Sequence, residues 1–287
     1  MIRVNAVLGK ELTTRMRGWR AAAIITAYLT LLATVSLLLL ASGGTPQSYG
    51  DAANLGRGLF QALAGLQMAL IIFITPASTA DAISGERQRQ TLELLLVTRL
   101  SAFSIVLGKL LAGLAFDVLL ILCSLPLFSL VFLFGGVGVD QVLSLFVVFL
   151  ATTLLLGSMA LFVSTVMRRS GAAVIVSLLC MLGLTVGLAT LSFYLYYRDA
   201  NGGNGLGSLP QLPWPAYFDP LVGFANVLPG ILGFDVGSNT FAYATGGPLH
   251  LTLWVDQVLA DIVLSVLFIL GSVRLLRPST RSARAAS

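Results

Sequence analysis

A polar segment, residues 81–109, separates two long apolar runs of this sequence and holds a dense group of charged residues. It begins with the charged run Gly85–Gln90. Thr91 then suits the N-cap of a short helix over Leu92–Val97, and Glu93 lies in its first turn, where a carboxylate interacts favourably with the helix dipole. The pattern predicts a short helix held between two apolar helices.

The chemistry that we expect of this short helix is recognition of another protein. Leu92, Leu95 and Leu96 share one face at helical spacing, and such a face can insert into a groove on a partner. Lying flat on the lipid surface is the alternative. Docking is favoured because the sequence contains no recognisable catalytic domain. The residues expected to dock are Glu86, Arg87, Thr91, Leu92, Glu93, Leu95 and Leu96.

The sequence offers no residue pattern for catalysis. A Walker A loop needs an upstream glycine and a Ser or Thr after Gly-Lys, and the pairs Gly9-Lys10 and Gly108-Lys109 lack both. The single histidine, His250, and the absence of Gly-x-Ser-x-Gly argue against an intramembrane hydrolase. We therefore expect no catalytic residues, no metal ligands and no cofactor bound by this chain.

Three carboxylates fall inside apolar runs, where ionisable groups are costly and usually face a cavity or a partner. Asp117 lies about 12 Å into its run at 1.5 Å per residue, and Asp256 and Asp261 lie in the last run. Each is therefore a candidate for a functional role. The structural alternatives are that Asp117 pairs with Lys109 and that Asp256 lies at the level of the lipid headgroups.

The composition assigns the chain to the membrane proteins. Of its 287 residues, 57% are hydrophobic and 10% are charged, and the mean hydropathy is +0.93, whereas soluble domains carry about 25% charged residues. A bilayer core of about 30 Å needs roughly 20 apolar residues per helix. The sequence predicts an all-α integral membrane protein with six transmembrane helices, near residues 21–41, 59–80, 110–134, 142–167, 171–196 and 251–273.

The basic residues predict the orientation, because loops rich in Lys and Arg stay in the cytoplasm. All but two of the 17 lie on one side of the predicted spans, and only Arg57 and Arg198 lie on the other. Both termini are therefore expected in the cytoplasm. The net charge of +5 then reflects topology and not a nucleic-acid surface, and binding of nucleic acid by the basic tail is the disfavoured alternative.

The segments outside the spans have separate expected roles. Residues 1–20 should form an amphipathic basic helix in the cytoplasmic interface, either as an anchor or as a lever to a partner. Residues 81–109 form a cytoplasmic hairpin, and residues 274–287 form a basic cytoplasmic tail. Residues 197–250 form a long extracytoplasmic loop, in which Pro220–Phe234 suits either a short re-entrant helix or a segment lying on the surface.

Several short motifs of the sequence fit one family pattern. They are Ser84-Gly85-Glu86-Arg87, Thr91–Thr98, Ser101 and Gly108-Lys109, with further matches at Lys10-Glu11-Leu12, Pro126, Gly135-Gly136-Val137, Ser164 and Arg168-Arg169. Together they resemble the signature of the ABC-2 type transporter permeases, and the resemblance covers most of residues 1–175. Arg99 stands where that family usually has proline, which would end the short helix sharply.

The resemblance implies a transmembrane permease subunit of an ATP-driven transporter, usually an exporter, in a prokaryotic plasma membrane. It implies that the hairpin over residues 81–109 docks on a separate ABC ATPase subunit, which binds ATP and Mg. Two copies, or one copy and a related permease, would form the pathway. The alternatives are an ion-coupled secondary transporter, which would favour paired repeats that are not found here, and a membrane scaffold without transport.

Overall fold

The computed structural model describes residues 19–42, 44, 48–90, 101–201, 213–228 and 253–276. Those residues contain no strand, and six of their helices are long and apolar enough to cross a membrane, as predicted. The helices are α1 (Trp19–Ser42), α2 (Tyr49–Thr79), α3 (Ser84–Gln88), α4 (Ala102–Phe134), α5 (Val139–Val166), α6 (Ser170–Leu182), α7 (Leu188–Asn201), α8 (Pro220–Val227) and α9 (Leu253–Leu276); a π-helical turn (Gly183–Gly187) joins α6 to α7, and a 3-10 turn (Trp214–Phe218) precedes α8.

The second span begins well before the position that hydropathy suggests. Helix α2 begins at Tyr49 and not near Leu59, because Ser48 and Asp51 form a reciprocal capping box. The Asp51 N–H donates to Ser48 Oγ at 3.2 Å, and the Ser48 N–H donates to Asp51 Oδ2 at 3.1 Å. Two backbone donors at the helix start are thereby satisfied. The predicted loop over residues 42–58 is correspondingly shorter.

The third span also begins with a side-chain cap. The Ser104 N–H donates to Ser101 Oγ at 3.2 Å, and helix α4 follows from Ala102. Ser101 therefore acts as the N-cap that its sequence position suggests. The helix expected over Leu92–Val97 lies outside the described residues. So do residues 1–18 of the helix predicted over residues 1–20 and residues 277–287 of the tail predicted over residues 274–287.

Helix α5 lies at the centre of the bundle and packs against α2, α4, α6, α8 and α9. Close approach is possible where its side chains are small: a methyl group on Gly157 would lie 2.7 Å from Leu114 Cδ2 of α4. Such small-residue contacts allow membrane helices to approach closely. Aromatic rings fill the rest of this core, with Phe128 in edge-to-face contact with Phe60 and Phe149.

The two ends of the bundle are marked by different contacts. At one end, Arg57 Nε donates to the Gly136 carbonyl at 3.1 Å, which ties the start of α2 to the α4–α5 connection. We call the end of the bundle that holds α3 the hairpin end. The end at which Arg57 contacts Gly136 is the opposite end. Helix α8 belongs to the half of the bundle near the opposite end, where its Phe224 ring stacks on Phe149 with centroids 6.2 Å apart.

Candidate functional site

The charged run at the start of the polar segment folds as a single helical turn, α3, directly after α2. The Gly85 N–H donates to the Asp81 carbonyl at 2.8 Å and the Arg89 N–H donates to the Gly85 carbonyl at 3.1 Å, so the backbone is helical across the turn. Helix α3 packs against α5 and α6. We define the hairpin base as α3 together with Lys109 and the α5–α6 connection, residues 164–170.

Ser164 of α5 holds the start of α3 in place. Its Oγ accepts the N–H groups of Ile83 at 3.1 Å and Ser84 at 3.0 Å, and it donates to Ser84 Oγ at 3.2 Å. Both serines are fully buried. Because buried backbone donors without a partner are strongly destabilising, this one hydroxyl fixes where α3 lies against α5.

Arg87 caps the carboxyl end of α5. Its Nη1 donates to the Met167 carbonyl at 3.2 Å and its Nη2 donates to the Thr165 carbonyl at 3.1 Å. The last carbonyls of a helix lack partners within the helix and carry partial negative charge, so a guanidinium stabilises them. Gln88 extends the contact to α6, since its Oε1 accepts from Ser170 Oγ at 2.7 Å.

Glu86 connects the same turn to the third span. Its carboxylate forms an ion pair with Lys109 of α4 at 3.3 Å. The Lys109 side chain is only 3% exposed and that of Glu86 is 29% exposed, so the ammonium lies inside the protein and the carboxylate lies at its edge. A buried charge needs such a partner. The consecutive residues Glu86, Arg87 and Gln88 of α3 thus bind three different helices.

Of the residues predicted to dock, Glu86 and Arg87 lie in the hairpin base, and Thr91, Leu92, Glu93, Leu95 and Leu96 lie outside the described residues. The partners within the base were less visible in the sequence. Lys109, Ser164 and Ser170 were not predicted to contact α3. The only signal for the first two was their place in the family signature, and Ser170 had none.

Asp117 lies beside a small cavity between α1, α2 and α4 that is lined mostly by apolar side chains. The cavity measures about 10 Å³, which is room for about one water molecule, and its polar lining residues are Tyr28, Gln67, Thr75 and Asp117. Tyr28 donates its hydroxyl to Gln67 Oε1. Ser78 Oγ donates to Asp117 Oδ2 at 3.4 Å. Lys109, about two turns before Asp117 on α4, forms its ion pair with Glu86.

Asp256 and Asp261 of α9 are buried, with 6% and 1% of their surface exposed. A third carboxylate that the sequence did not single out, Asp219, is fully buried in the same region, at the start of α8. Its signal was the pair Asp219-Pro220, a typical N-cap followed by proline in the first helical position. Within the described ranges, no three His, Cys, Asp or Glu side chains are grouped so that they could hold a metal ion.

The sequence profile of a family described as ABC-2 family transporter protein matches residues 21–273, which include the hairpin base and nearly all of the six membrane-spanning helices. No curated protein matches the sequence.

Proposed function

Since the chain belongs to the ABC-2 family of transporter proteins, we propose that it is the permease subunit of an ATP-driven exporter and that its hairpin base receives movement from a separate ATPase subunit. The membrane helices form the permease. The ATPase subunit would bind ATP and Mg, and hydrolysis would take place there.

The observation that carries the proposal is the way in which α3 is connected. Ser164 and Arg87 bind α3 to the carboxyl end of α5, Gln88 binds it to the start of α6, and Glu86 binds it to α4. Helix α2 runs into α3 after only four residues. A push on the hairpin would therefore reach four membrane-spanning helices at once, which is what coupling a partner's movement to a transmembrane pathway requires.

The remaining features of the transporter follow from this arrangement and from the family. The hairpin end would face the cytoplasm, with both termini on that side of a prokaryotic plasma membrane, because the basic residues cluster there. A second permease copy or a paralogue would complete the pathway. Asp117, Asp256 and Asp261 are the charged candidates for contact with a transported molecule or with the partner copy.

Charge reversal in the hairpin tests the coupling. The full chain is purified with its ATPase partner, and complex formation and permease-stimulated ATP hydrolysis are measured for Glu86→Lys with Glu93→Lys. We expect both to be lost. Asp140→Lys, a charge reversal at an exposed position at the opposite end, is the matched control and should leave both intact. Retention of the complex and of stimulation in the hairpin variant would refute the assignment.

A charge swap separates docking from folding. Glu86→Lys alone places a second cation beside the buried Lys109, so it also disturbs the hairpin base. Glu86→Lys with Lys109→Glu restores an internal ion pair of inverted polarity. If the swap recovers the complex, Glu86 acts only within the permease; if the complex stays lost while the protein remains folded, Glu86 meets the ATPase. Flux driven by an ion gradient without any ATPase would support the secondary-transporter alternative instead.

A further inference from the structure

Asp219 is a buried carboxylate at a helix start, away from the hairpin base. It is the N-cap of α8, and its Oδ1 accepts the Leu221 N–H at 2.9 Å. Its second oxygen, Oδ2, is buried and has no hydrogen-bond partner among the described residues. Burial raises the pKa of this carboxyl from 3.8 to about 7, although the Leu221 N–H, which favours the ionised form, acts in the other direction. Half of the Asp219 carboxylate is thus left without a partner.

Asp219 faces a second buried carboxylate across the contact between α8 and α9. Residues four apart lie on the same face of a helix, so Asp219 and Gly223 share one face of α8, and Gln257 and Asp261 share one face of α9. The two faces meet, because the Gln257 side chain packs directly against Gly223, where a side chain larger than hydrogen would not fit. Asp219 and Asp261 are close enough for their charges to interact.

The amide of Gln257 lies in the same interface and is unsatisfied. Gln257 is 1% exposed, and neither its Nε2 nor its Oε1 has a hydrogen-bond partner among the described residues. Both oxygens of Asp261 are in the same condition. An amide can donate to a carboxylate and accept from a carboxylic acid, so Gln257 suits a site in which one carboxyl group carries a proton and its neighbour does not.

The elements that pack around this interface bring no buried cation to it within the described part of the chain. The 3-10 turn contributes Tyr217, whose pKa is raised by burial and then by the charge of Asp256, so its phenol stays neutral. Helix α9 contributes Asp256 and, near its end, the exposed Arg274. Helix α4, which packs on α9, contributes Asp117 and Lys109, and Lys109 forms its ion pair with Glu86 at the hairpin end. Helix α5 has one charged residue, Asp140, at its exposed start, and the π-helical turn has none. Helix α7, which packs on the 3-10 turn, presents Tyr194, Tyr197 and Arg198, all exposed.

We propose that Asp219 and Asp261 form a carboxyl pair that binds one proton, and that this proton holds α8 against α9. Two carboxylates that share a buried site cannot both ionise without strong repulsion. With the proton bound, one negative charge remains, and the Gln257 amide can stabilise it. With the proton lost, the repulsion favours separation of α8 from α9 and exposure of the pair to solvent.

The sign of the pH dependence follows from the two states. With α8 docked, Asp219 keeps its proton up to about pH 7, whereas an exposed Asp219 loses it near 3.8. The docked state therefore binds more protons, and docking weakens as the pH rises between those values. The equilibrium constant for opening should rise by up to about tenfold per pH unit, or about 50-fold from pH 5 to pH 7, and then level off.

Accessibility of a cysteine on the buried face of α8 tests the proposal. Ala225 is 7% exposed, so Ala225→Cys, in a full-length chain whose two native cysteines are replaced by alanine, reports opening through its rate of labelling by a neutral maleimide. Asn is also a good N-cap, so Asp219→Asn keeps α8 capped and removes the charge. The ratio of the two labelling rates at each pH cancels the intrinsic pH dependence of the thiol.

We expect the Ala225→Cys labelling rate, divided by that of the Asp219→Asn variant, to rise up to about 50-fold between pH 5 and pH 7. Asp219→Asn with Asp261→Asn should stay closed at every pH. Asp256→Asn, a buried carboxylate on the same helix, is the matched control and should keep the native profile. A ratio that does not change with pH, or a profile that is abolished by Asp256→Asn alone, would overturn the proposal. The test needs neither the ATPase nor transport, so it stands apart from the proposed function.

Discussion

Replacing Ser164 with alanine should release the start of α3 from α5. The change removes one hydroxyl, but that hydroxyl serves two backbone N–H groups, those of Ile83 and Ser84, and one side-chain hydroxyl. A buried donor that is left without a partner costs about 1–3 kcal/mol. Leaving both N–H groups without a partner should therefore cost about 2–6 kcal/mol, at the lower end if water reaches the hairpin base.

Amide hydrogen exchange of the full-length protein in detergent measures this cost locally. A loss of 2 kcal/mol corresponds to about 30-fold faster exchange for amides that exchange through local opening. We expect that acceleration, or more, in peptides covering residues 80–90, together with little change in peptides from α9. Ser84→Ala should accelerate exchange less, because it removes only one of the three hydrogen bonds to Ser164.

Ser158 provides the matched control for Ser164. It lies on the same helix, is equally buried, and donates to the Leu155 carbonyl of its own helix at 2.9 Å. Removing that hydroxyl leaves no backbone donor without a partner, so Ser158→Ala should change exchange of residues 80–90 by less than about threefold. Equal effects of Ser158→Ala and Ser164→Ala on these amides would refute the reasoning that Ser164 positions α3.

Three further outcomes are expected. Arg87→Lys should lower permease-stimulated ATP hydrolysis, because an ammonium does not reproduce the two hydrogen bonds to the end of α5. Arg89→Lys, at an exposed position, is the control and should not lower it. Equal hydrolysis rates with the two variants would contradict this prediction. In an SDS unfolding titration, Gly157→Ala should lower the free energy of unfolding by about 1–3 kcal/mol through overpacking against Leu114. Gly65→Ala is the control and should be neutral or stabilising, because no atom lies within 4 Å of its new methyl group. Thr75→Val should leave the unfolding midpoint unchanged or raised. The buried Thr75 Oγ1 has no hydrogen-bond partner among the described residues, so its loss removes only an unsatisfied group. A clear decrease of the midpoint would indicate that the cavity beside Asp117 holds a water that Thr75 binds.

The six membrane-spanning helices could be predicted because a bilayer imposes one requirement on all of them, a run of about 20 apolar residues. The start of α2 could not be read in the same way. Hydropathy places Asp51 and Arg57 outside the membrane, but a helix can extend beyond the lipid when its first N–H groups are capped, as they are by Ser48 and Asp51. That signal is local and chemical, and it is independent of hydropathy.

The candidate site was predictable only in part, for a related reason. Glu86 and Arg87 attract notice because charges are rare in this sequence. Their partners do not, since the carbonyls of Thr165 and Met167 are backbone groups that any sequence would supply. Ser164 is one hydroxyl in an otherwise apolar helix. Asp219 was overlooked because its burial depends on α8 packing against α9, and loop composition carries no information about that contact.

The contacts of the hairpin base also impose an order on the biogenesis of the protein. Glu86 and Lys109 are 23 residues apart, whereas Ile83 and Ser84 are 81 and 80 residues from Ser164. At about 5–20 residues per second, translation needs roughly 4–16 s to travel the longer distance. Once Lys109 has been synthesised, the nascent chain can form its ion pair, but for the rest of that interval it lacks the partner of two backbone N–H groups. A ribosome that stalls before the fourth span is complete would therefore leave an unlocked hairpin on the membrane surface, a recognisable feature for quality-control proteases.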